Sequence, residues 1–141
     1  MELIENKREF LSDLSHWKGE NLSHYTWVSN VHAPFTPVRR ALPMLNLALI
    51  SSAGAYINGT EPFDLTSKNG DVEFREFPIE LEAADISYAA KGFDPKAVSE
   101  DRNAQIPIDR LLEYESNSVI GKLNDVWWSL SPWIPHAAQV A

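Results

Sequence analysis

The densest group of side chains that could carry chemistry lies between residues 101 and 110. This polar cluster consists of Asp101, Arg102, Asn103, Asp109 and Arg110. Carboxylates beside arginines mostly form structural ion pairs and loop hydrogen bonds, which is the interpretation that we favour. The alternative is a general base held by an arginine, with Asn103 orienting a ligand. Asp101, Asn103, Asp109 and Arg110 are therefore candidate ligand-binding residues, and the sequence identifies no catalytic residue.

A second candidate is the turn of small residues at positions 51–56, which follows a predicted buried strand at positions 45–50. This order is common at ligand sites of α/β proteins, where main-chain amides can hold an anion. The turn has one glycine and no following lysine, so it matches no phosphate-binding loop, dinucleotide-binding motif or nucleophile elbow. We favour a tight turn after a strand, and Ser52 and Gly54 remain candidate ligand-binding residues.

The chain contains no cysteine. The 141 residues therefore cannot form disulfides or thiolate metal sites, and they cannot perform thiol or selenol redox chemistry by themselves. The four histidines, His16, His24, His32 and His136, show none of the i, i+3 or i, i+4 spacings of a helical metal site. The sequence accordingly predicts neither a metal site nor a cofactor.

Composition and charge narrow the classes of partner. The 141 residues are 44% hydrophobic and 23% charged, as in an ordinary globular protein, and we expect one domain over residues 1–141. A net charge of −8 disfavours nucleic acids and anionic membrane surfaces, because both are bound through basic side chains. No apolar run approaches the ~18 residues of a membrane span, and the acidic N-terminus lacks a secretory-signal pattern. We therefore predict a cytoplasmic protein.

Periodicity predicts the elements that position these residues. Residues 3–17 form a predicted amphipathic helix that we expect to pack on the domain, a docking helix for a partner being the alternative. Residues 21–43 contain three prolines and predict an extended strap. Strands are expected at 45–50, within 71–78 and at 86–88, a helix at 107–115, and a turn toward the sheet at 119–121. The predicted fold is α/β: a single compact domain with a small central sheet, an N-terminal amphipathic helix and an aromatic C-terminal tail.

The C-terminal tail, residues 126–135, is unusually aromatic and contains Trp127, Trp128 and Trp133. Indole rings need a place of burial. The tail therefore either folds back on this domain or packs on another subunit. The three tryptophans are candidate residues for docking a protein partner or for forming a homo-oligomer.

Several stretches match one known pattern in order and spacing from about residue 33 to residue 130. The most specific is Asp-Arg-Asn-Ala-Gln-Ile-Pro-Ile-Asp-Arg-Leu at 101–111, followed by Val-Ile-Gly at 119–121. The other stretches are 35–39, 47–54, 63–64, 70–71, 74–78 and 93–94. Together they resemble the selenoprotein B family, which comprises the B subunits of glycine, sarcosine and betaine reductases and the related subunit of D-proline reductase.

The resemblance covers what looks like the N-terminal part of the family pattern. It implies a second α/β segment with a selenocysteine-x-x-cysteine or cysteine-x-x-cysteine redox centre, and the sequence ends before such a segment. Where the family tends to place Ser-His before an aromatic-Asp pair, this chain has Ala89 and Ala90. A titratable group is therefore missing from the substrate side that the resemblance implies.

Three hypotheses of function follow. The leading one is a cysteine-free, truncated relative of a reductase B subunit, which acts as a binding or assembly subunit with a pocket for a small molecule. The alternative is one half of a split reductase for glycine, betaine, sarcosine or D-proline type substrates, with its selenocysteine or cysteine centre on a partner chain. A cysteine-free hydrolase or isomerase is the third, and only the polar cluster supports it.

Overall fold

The computed structural model describes residue 32, residues 35–91 and residues 94–134. The predicted helix at 3–17 and the first part of the predicted strap lie outside these residues. The described part contains strands and helices in the order β1 (Asn46–Leu47), β2 (Ile50–Ser51), β3 (Ala55–Ile57), β4 (Arg75–Pro78), β5 (Ile86–Tyr88), α1 (Lys96–Glu100), α2 (Ile108–Ser116), β6 (Lys122–Leu123) and β7 (Val126–Ser129). Short 3-10 helices span Leu42–Met44, Ala83–Asp85 and Arg102–Ala104. The mixed α/β class is therefore confirmed.

Within the described residues, the strands form small ladders in place of the single central sheet that was predicted. β1 and β2 run parallel to β6 and β7, and β4 pairs antiparallel with β7. β3 and β5 form a separate antiparallel pair. Asn46 pairs with Lys122 and Ile50 with Trp128, so the β6–β7 side contains two more residues between these pairs. Such an insertion bulges one strand and divides what would otherwise be one continuous ladder.

The predicted buried strand at 45–50 is wrong in its continuity and its burial. The segment forms the two short strands β1 and β2, and its exposure alternates along the chain. The side chains at 45, 47 and 49 are half-buried, whereas those at 46, 48 and 50 are exposed. A continuous apolar run predicts burial on both faces. Here only one face meets the core, because no described element covers the other.

The core centres on an aromatic stack between β4 and β7. The rings of Phe77 and Trp127 stack with their centroids 4.2 Å apart, and Trp127 is 1% exposed. The predicted docking role of Trp127 is therefore wrong, because the alternating exposure of β7 directs this ring into the chain's own core. The stack packs with apolar side chains from neighbouring segments: Ala53, Ala55, Ile86, Ile106 and Ile108.

The other predicted elements within the described residues are confirmed with small shifts. The strand predicted within 71–78 is β4, which ends at Pro78, and the strand predicted at 86–88 is β5. The helix predicted at 107–115 is α2, which has Pro107 just before its first residue and Asp109 in its first turn. Proline fits this position because the first N–H groups of a helix have no intrahelical acceptor, and an acidic residue there complements the helix dipole.

Candidate functional site

The candidate site is built on the 3-10 turn Arg102–Ala104, which lies between α1 and α2. Asp101 precedes this turn, and its Oδ1 accepts hydrogen bonds from the main-chain N and the Nδ2 of Asn103, both at 2.9 Å. Aspartate is well suited to this role, because its short side chain reaches the free N–H groups at the start of a turn. Asp101 therefore stabilises the turn that carries the next two side chains of the cluster.

Arg102 holds the polar cluster together, although it was not among the predicted site residues. Its Nε donates to Oδ2 of Asp109 at 3.0 Å, and its Nη2 donates to the other oxygen of the same carboxylate. Its Nη1 donates to the main-chain oxygen of Leu81 at 2.8 Å. This bidentate pair and the third bond connect α2 and the segment before β5 to the turn. The sequence signal for Arg102 was its place inside the Asp-Arg-Asn triplet of the cluster.

Asn103 bridges the two carboxylates of the cluster. Its Nδ2 donates to Oδ1 of Asp101 at 2.9 Å and to Oδ2 of Asp109 at 2.8 Å. Because ionised carboxylates only accept hydrogen bonds, these contacts require the amide nitrogen on that side and leave the oxygen on the other. Within the described part of the chain this buried Oδ1 has no hydrogen-bond donor. Buried acceptors normally have a partner, so this oxygen is a candidate acceptor for a donor on a bound molecule.

Hydrogen bonds keep both carboxylates of the cluster ionised. The pKa of Asp101 is lowered mainly by its hydrogen bonds from Asn103, and the pKa of Asp109 is lowered mainly by those from Arg102. The hydrogen bond to Asp109 in turn raises the pKa of the Arg102 guanidinium. A general base works best when its pKa lies near the working pH. The arrangement therefore favours the structural ion pair over the general base.

Arg110 is an exposed member of the polar cluster and faces solvent. Its Nη1 donates to Oε2 of Glu113 at 2.9 Å along α2, and both side chains are exposed. Its positive charge also contributes to the lowered pKa values of Asp101 and Asp109. The side of the cluster that solvent reaches thus presents a carboxylate, Asp101, and a guanidinium, Arg110.

The turn of small residues uses its main-chain amides internally. The N–H groups of residues 53, 54 and 55 donate to Ser51 Oγ at 3.2 Å, Leu130 O at 3.1 Å and Ser129 Oγ at 2.8 Å, respectively. An anion cannot use donors that are already engaged, so the anion-binding alternative is wrong for these three amides. Ser52 is exposed. Ser51 Oγ donates to the main-chain oxygen of Gln105 at 3.1 Å, which places this turn next to the one that carries Arg102.

Gly54 is the residue that the turn requires. Its φ of +69° lies in the left-handed region, which glycine adopts without steric cost. A Cβ at this position would lie 2.5 Å from the main-chain oxygen of Ala89 and 2.7 Å from Cδ of Pro132. Gly54 therefore packs the turn against the C-terminal segment and is buried.

The two other tryptophans of the tail contact groups of the same chain. Nε1 of Trp128 donates to Oε2 of Glu76 at 3.0 Å. The ammonium nitrogen of Lys91 lies 4.2 Å from the ring centre of Trp133, which is a cation–π contact. Both rings are half-buried, so each keeps some surface toward solvent. Docking through Trp128 and Trp133 stays a prediction.

The described residues contain neither a candidate metal site nor a helix that could span a membrane. Among residue 32 and residues 35–91 and 94–134, no three His, Asp or Glu side chains are grouped so that they could hold a metal ion. Neither helix of this part has the length and apolar character that crossing a membrane requires.

The model of the glycine/sarcosine/betaine reductase selenoprotein B (GRDB) family matches residues 23–131. The chain belongs to this family. The resemblance found over residues 33–130 is therefore confirmed, and the match includes the whole polar cluster and the turn of small residues.

Three relatives show how much of a family member this chain represents. D-proline reductase subunit gamma of Acetoanaerobium sticklandii is 30% identical over 99 residues, which cover 70% of this chain and 39% of that protein. The glycine reductase complex component B subunits gamma of Symbiobacterium thermophilum and Carboxydothermus hydrogenoformans are 29% and 26% identical. These two alignments each cover 79% of this chain, but only 27% and 26% of the relatives. No solved structure matches the chain significantly.

Proposed function

We propose that these 141 residues form a binding or assembly component of a reductase-type complex and perform no thiol or selenol redox chemistry of their own. The observation that carries the proposal is membership in the selenoprotein B family together with a sequence that contains no cysteine. The polar cluster cannot substitute for a thiol or selenol redox centre, because carboxylate, amide and guanidinium groups do not undergo thiol–disulfide chemistry. The lowered pKa values of Asp101 and Asp109 disfavour the hydrolase or isomerase hypothesis.

A small-molecule pocket at the polar cluster is the second part of the proposal. Three of the six candidate residues, Ser52, Asp101 and Arg110, are exposed and accessible from solvent. Asn103 and Asp109 support the turn from behind. A carboxylate and a guanidinium side by side suit a zwitterion, because each charge of the ligand meets its opposite. Glycine and D-proline, which appear in the names of the relatives, are zwitterions of this class.

One half of a split reductase is the second candidate function. The chain spans only 26% to 39% of the relatives' length, and this observation favours it. In that case a partner chain supplies the selenocysteine or cysteine centre, and the substrate is of the glycine, betaine, sarcosine or D-proline type. The two candidates share the prediction that this chain works with a protein partner, in the cytoplasm.

The redox part of the proposal is tested by an activity assay. The purified chain is incubated with a dithiol and with glycine, betaine or D-proline, and we expect no turnover. Turnover by the chain alone would contradict the cysteine argument. Turnover only after addition of a polypeptide that carries a selenocysteine or cysteine pair would favour the split reductase.

The pocket is tested by isothermal titration calorimetry with glycine, betaine, sarcosine and D-proline. Asp101→Asn and Arg110→Gln should each weaken binding of a zwitterion, because each removes one of the two exposed charges. Glu61→Gln, which changes an exposed carboxylate elsewhere, is the matched control and should bind normally. Equal affinities in all three variants would exclude the pocket.

Docking through the tail is tested by light scattering. Substitution of Trp128 or Trp133 by alanine should weaken self-association or binding of a partner. A strictly monomeric chain whose partner binding is unchanged by both substitutions would remove the tail from the proposal.

A further inference from the structure

Residues 46–50 present an open strand edge. The carbonyl oxygens of residues 45, 47 and 49 accept hydrogen bonds from the main-chain N–H groups of residues 122, 124 and 128. Because main-chain groups alternate in direction along a strand, those of residues 46, 48 and 50 point to the opposite side. Within the described part of the chain no hydrogen bond reaches them on that side. We name this side the open edge.

The open edge lacks the residues that normally prevent a free strand edge from pairing with another strand. No Asp, Glu, Lys or Arg occurs from residue 41 to residue 60, although the chain as a whole is 23% charged. Ile50 is 64% exposed. Soluble proteins protect free edges with charges, prolines, inward bulges or a covering element. Positions 46–50 carry no charge or proline, so the open edge is a template for strand addition.

The sheet face next to the open edge is also uncovered by described elements. Ile50, Trp128 and Glu76 lie in one row across β2, β7 and β4 on this face. Phe74, just before β4, is 61% exposed. Parallel strands are normally covered on both faces, and here β2 and β7 are parallel with one face toward the core. Among residues 35–91 and 94–134, no element covers either the open edge or this face.

We propose that the open edge pairs with a β-strand of a separate chain that supplies the part of a family subunit that this chain does not match. The relatives are long enough to provide it. The alignments cover 39%, 27% and 26% of their lengths, so at least 61% of each relative lies outside the alignment. Recognition comes from main-chain hydrogen bonds at residues 46, 48 and 50 and from apolar contact with Ile50. The proposal rests on the proposed function only in requiring a partner chain.

The test uses the unmatched portion of the Acetoanaerobium sticklandii D-proline reductase subunit gamma as the probe. It is coexpressed with the full chain, and the affinity and the amide hydrogen exchange are measured. We expect binding that protects the amides of residues 46, 48 and 50 from exchange. Ala48→Pro should weaken binding roughly tenfold or more, because it removes one edge donor and obstructs the neighbouring strand. Ala48→Val keeps the donor and should bind normally.

A second pair of variants separates the edge from general surface effects. Ile50→Lys places a charge on the open edge and should weaken binding. Val72→Lys is the matched control, since Val72 is 52% exposed and precedes β4 on the opposite side of the ladder. Circular dichroism checks that each variant is folded.

Several outcomes would overturn the proposal. These are no complex with the probe, a complex that leaves the three amides exchanging freely, or unchanged affinity for Ala48→Pro and Ile50→Lys. Edge protection in the chain alone would also overturn it: a dimer by light scattering would assign the edge to a second copy, and a monomer would assign it to another segment of the same chain. Failure of the proposed function is distinct, because it would be seen as redox turnover by the chain without any partner.

Discussion

Replacement of Asp109 by asparagine removes the negative charge that pairs with Arg102 and preserves the shape of the side chain. In the native chain this carboxylate accepts hydrogen bonds from the Nε and Nη2 of Arg102 and from Nδ2 of Asn103. Asparagine keeps one oxygen and directs an NH₂ group toward these donors. Arg102, whose side chain is 11% exposed, is then left with a poorly paired charge.

The expected magnitude follows from the burial of the two partners. Hydrogen bonds to charged groups contribute about 1.5–3 kcal/mol each, whereas exposed ion pairs contribute about 0–1 kcal/mol. Because Asp109 is 44% exposed, solvent screens the pair and its contribution lies between these ranges. We expect Asp109→Asn to lower the free energy of unfolding by about 1–1.5 kcal/mol, which is a sizeable share of the stability of a small domain.

Urea unfolding followed by tryptophan fluorescence measures this loss. Asp125→Asn is the matched control, since Asp125 pairs with Lys122 at 2.9 Å but both side chains are more than half exposed. The control should lose much less stability than Asp109→Asn, because solvent screens a pair in which both side chains are exposed. Equal losses in the two variants would refute the reasoning that the covered position of Arg102 strengthens its pair with Asp109.

The effect should also depend on pH, because the pKa of Asp109 is lowered in the folded chain. The unfolded chain then binds the proton more readily, so the stabilisation is fully present above the ordinary aspartate pKa of about 3.9 and is lost as the pH falls through the folded-state value. The difference between the native chain and Asp109→Asn should therefore be constant down to about pH 5 and shrink below about pH 4. A difference that persists in full at low pH would show that the charge is not its cause.

Three further comparisons test packing and buried hydrogen bonding, each by urea or thermal unfolding. Gly54→Ala should lower stability by about 2 kcal/mol more than Gly59→Ala, because both positions have positive φ but only at Gly54 would a Cβ meet other atoms. A similar loss at both positions would contradict the close packing. Trp127→Ala should lower stability by about 3–5 kcal/mol and Trp133→Ala by about 1 kcal/mol, and the reverse order would contradict the core position of Trp127. Ser129→Ala removes the acceptor of a buried main-chain N–H and should lower stability by about 1–3 kcal/mol, whereas an unchanged stability would show that this N–H finds another partner.

Local patterns predicted the elements whose signals lie within a few residues. The helix α2 was predictable because a proline and an acidic residue precede an apolar stripe, and both act on the first turn alone. The tight turn at Gly54 was predictable from its run of small residues. The exclusion of thiol chemistry could be inferred from composition alone, because a sequence without cysteine has no thiol in any fold.

Burial and side-chain pairing could not be predicted from the sequence, because they depend on contacts between distant segments. An apolar run at 45–50 does not reveal which of its faces another element covers, so its half-exposed state was visible only in the fold. Arg102 acquired its central place because the chain path brings Leu81 and Asp109 to one guanidinium. Trp127 belongs to the core because the pairing of β4 with β7 stacks the ring of Phe77 on its indole ring.

The sequence by itself therefore determined the family, the local elements and the absence of a thiol centre, since these depend on residue types and short-range order. The tertiary structure alone decided which tryptophan is buried, which arginine organises the polar cluster and which strand edge has no partner within the described residues. These properties depend on pairing across long sequence separations, where many partners are compatible with the same local pattern.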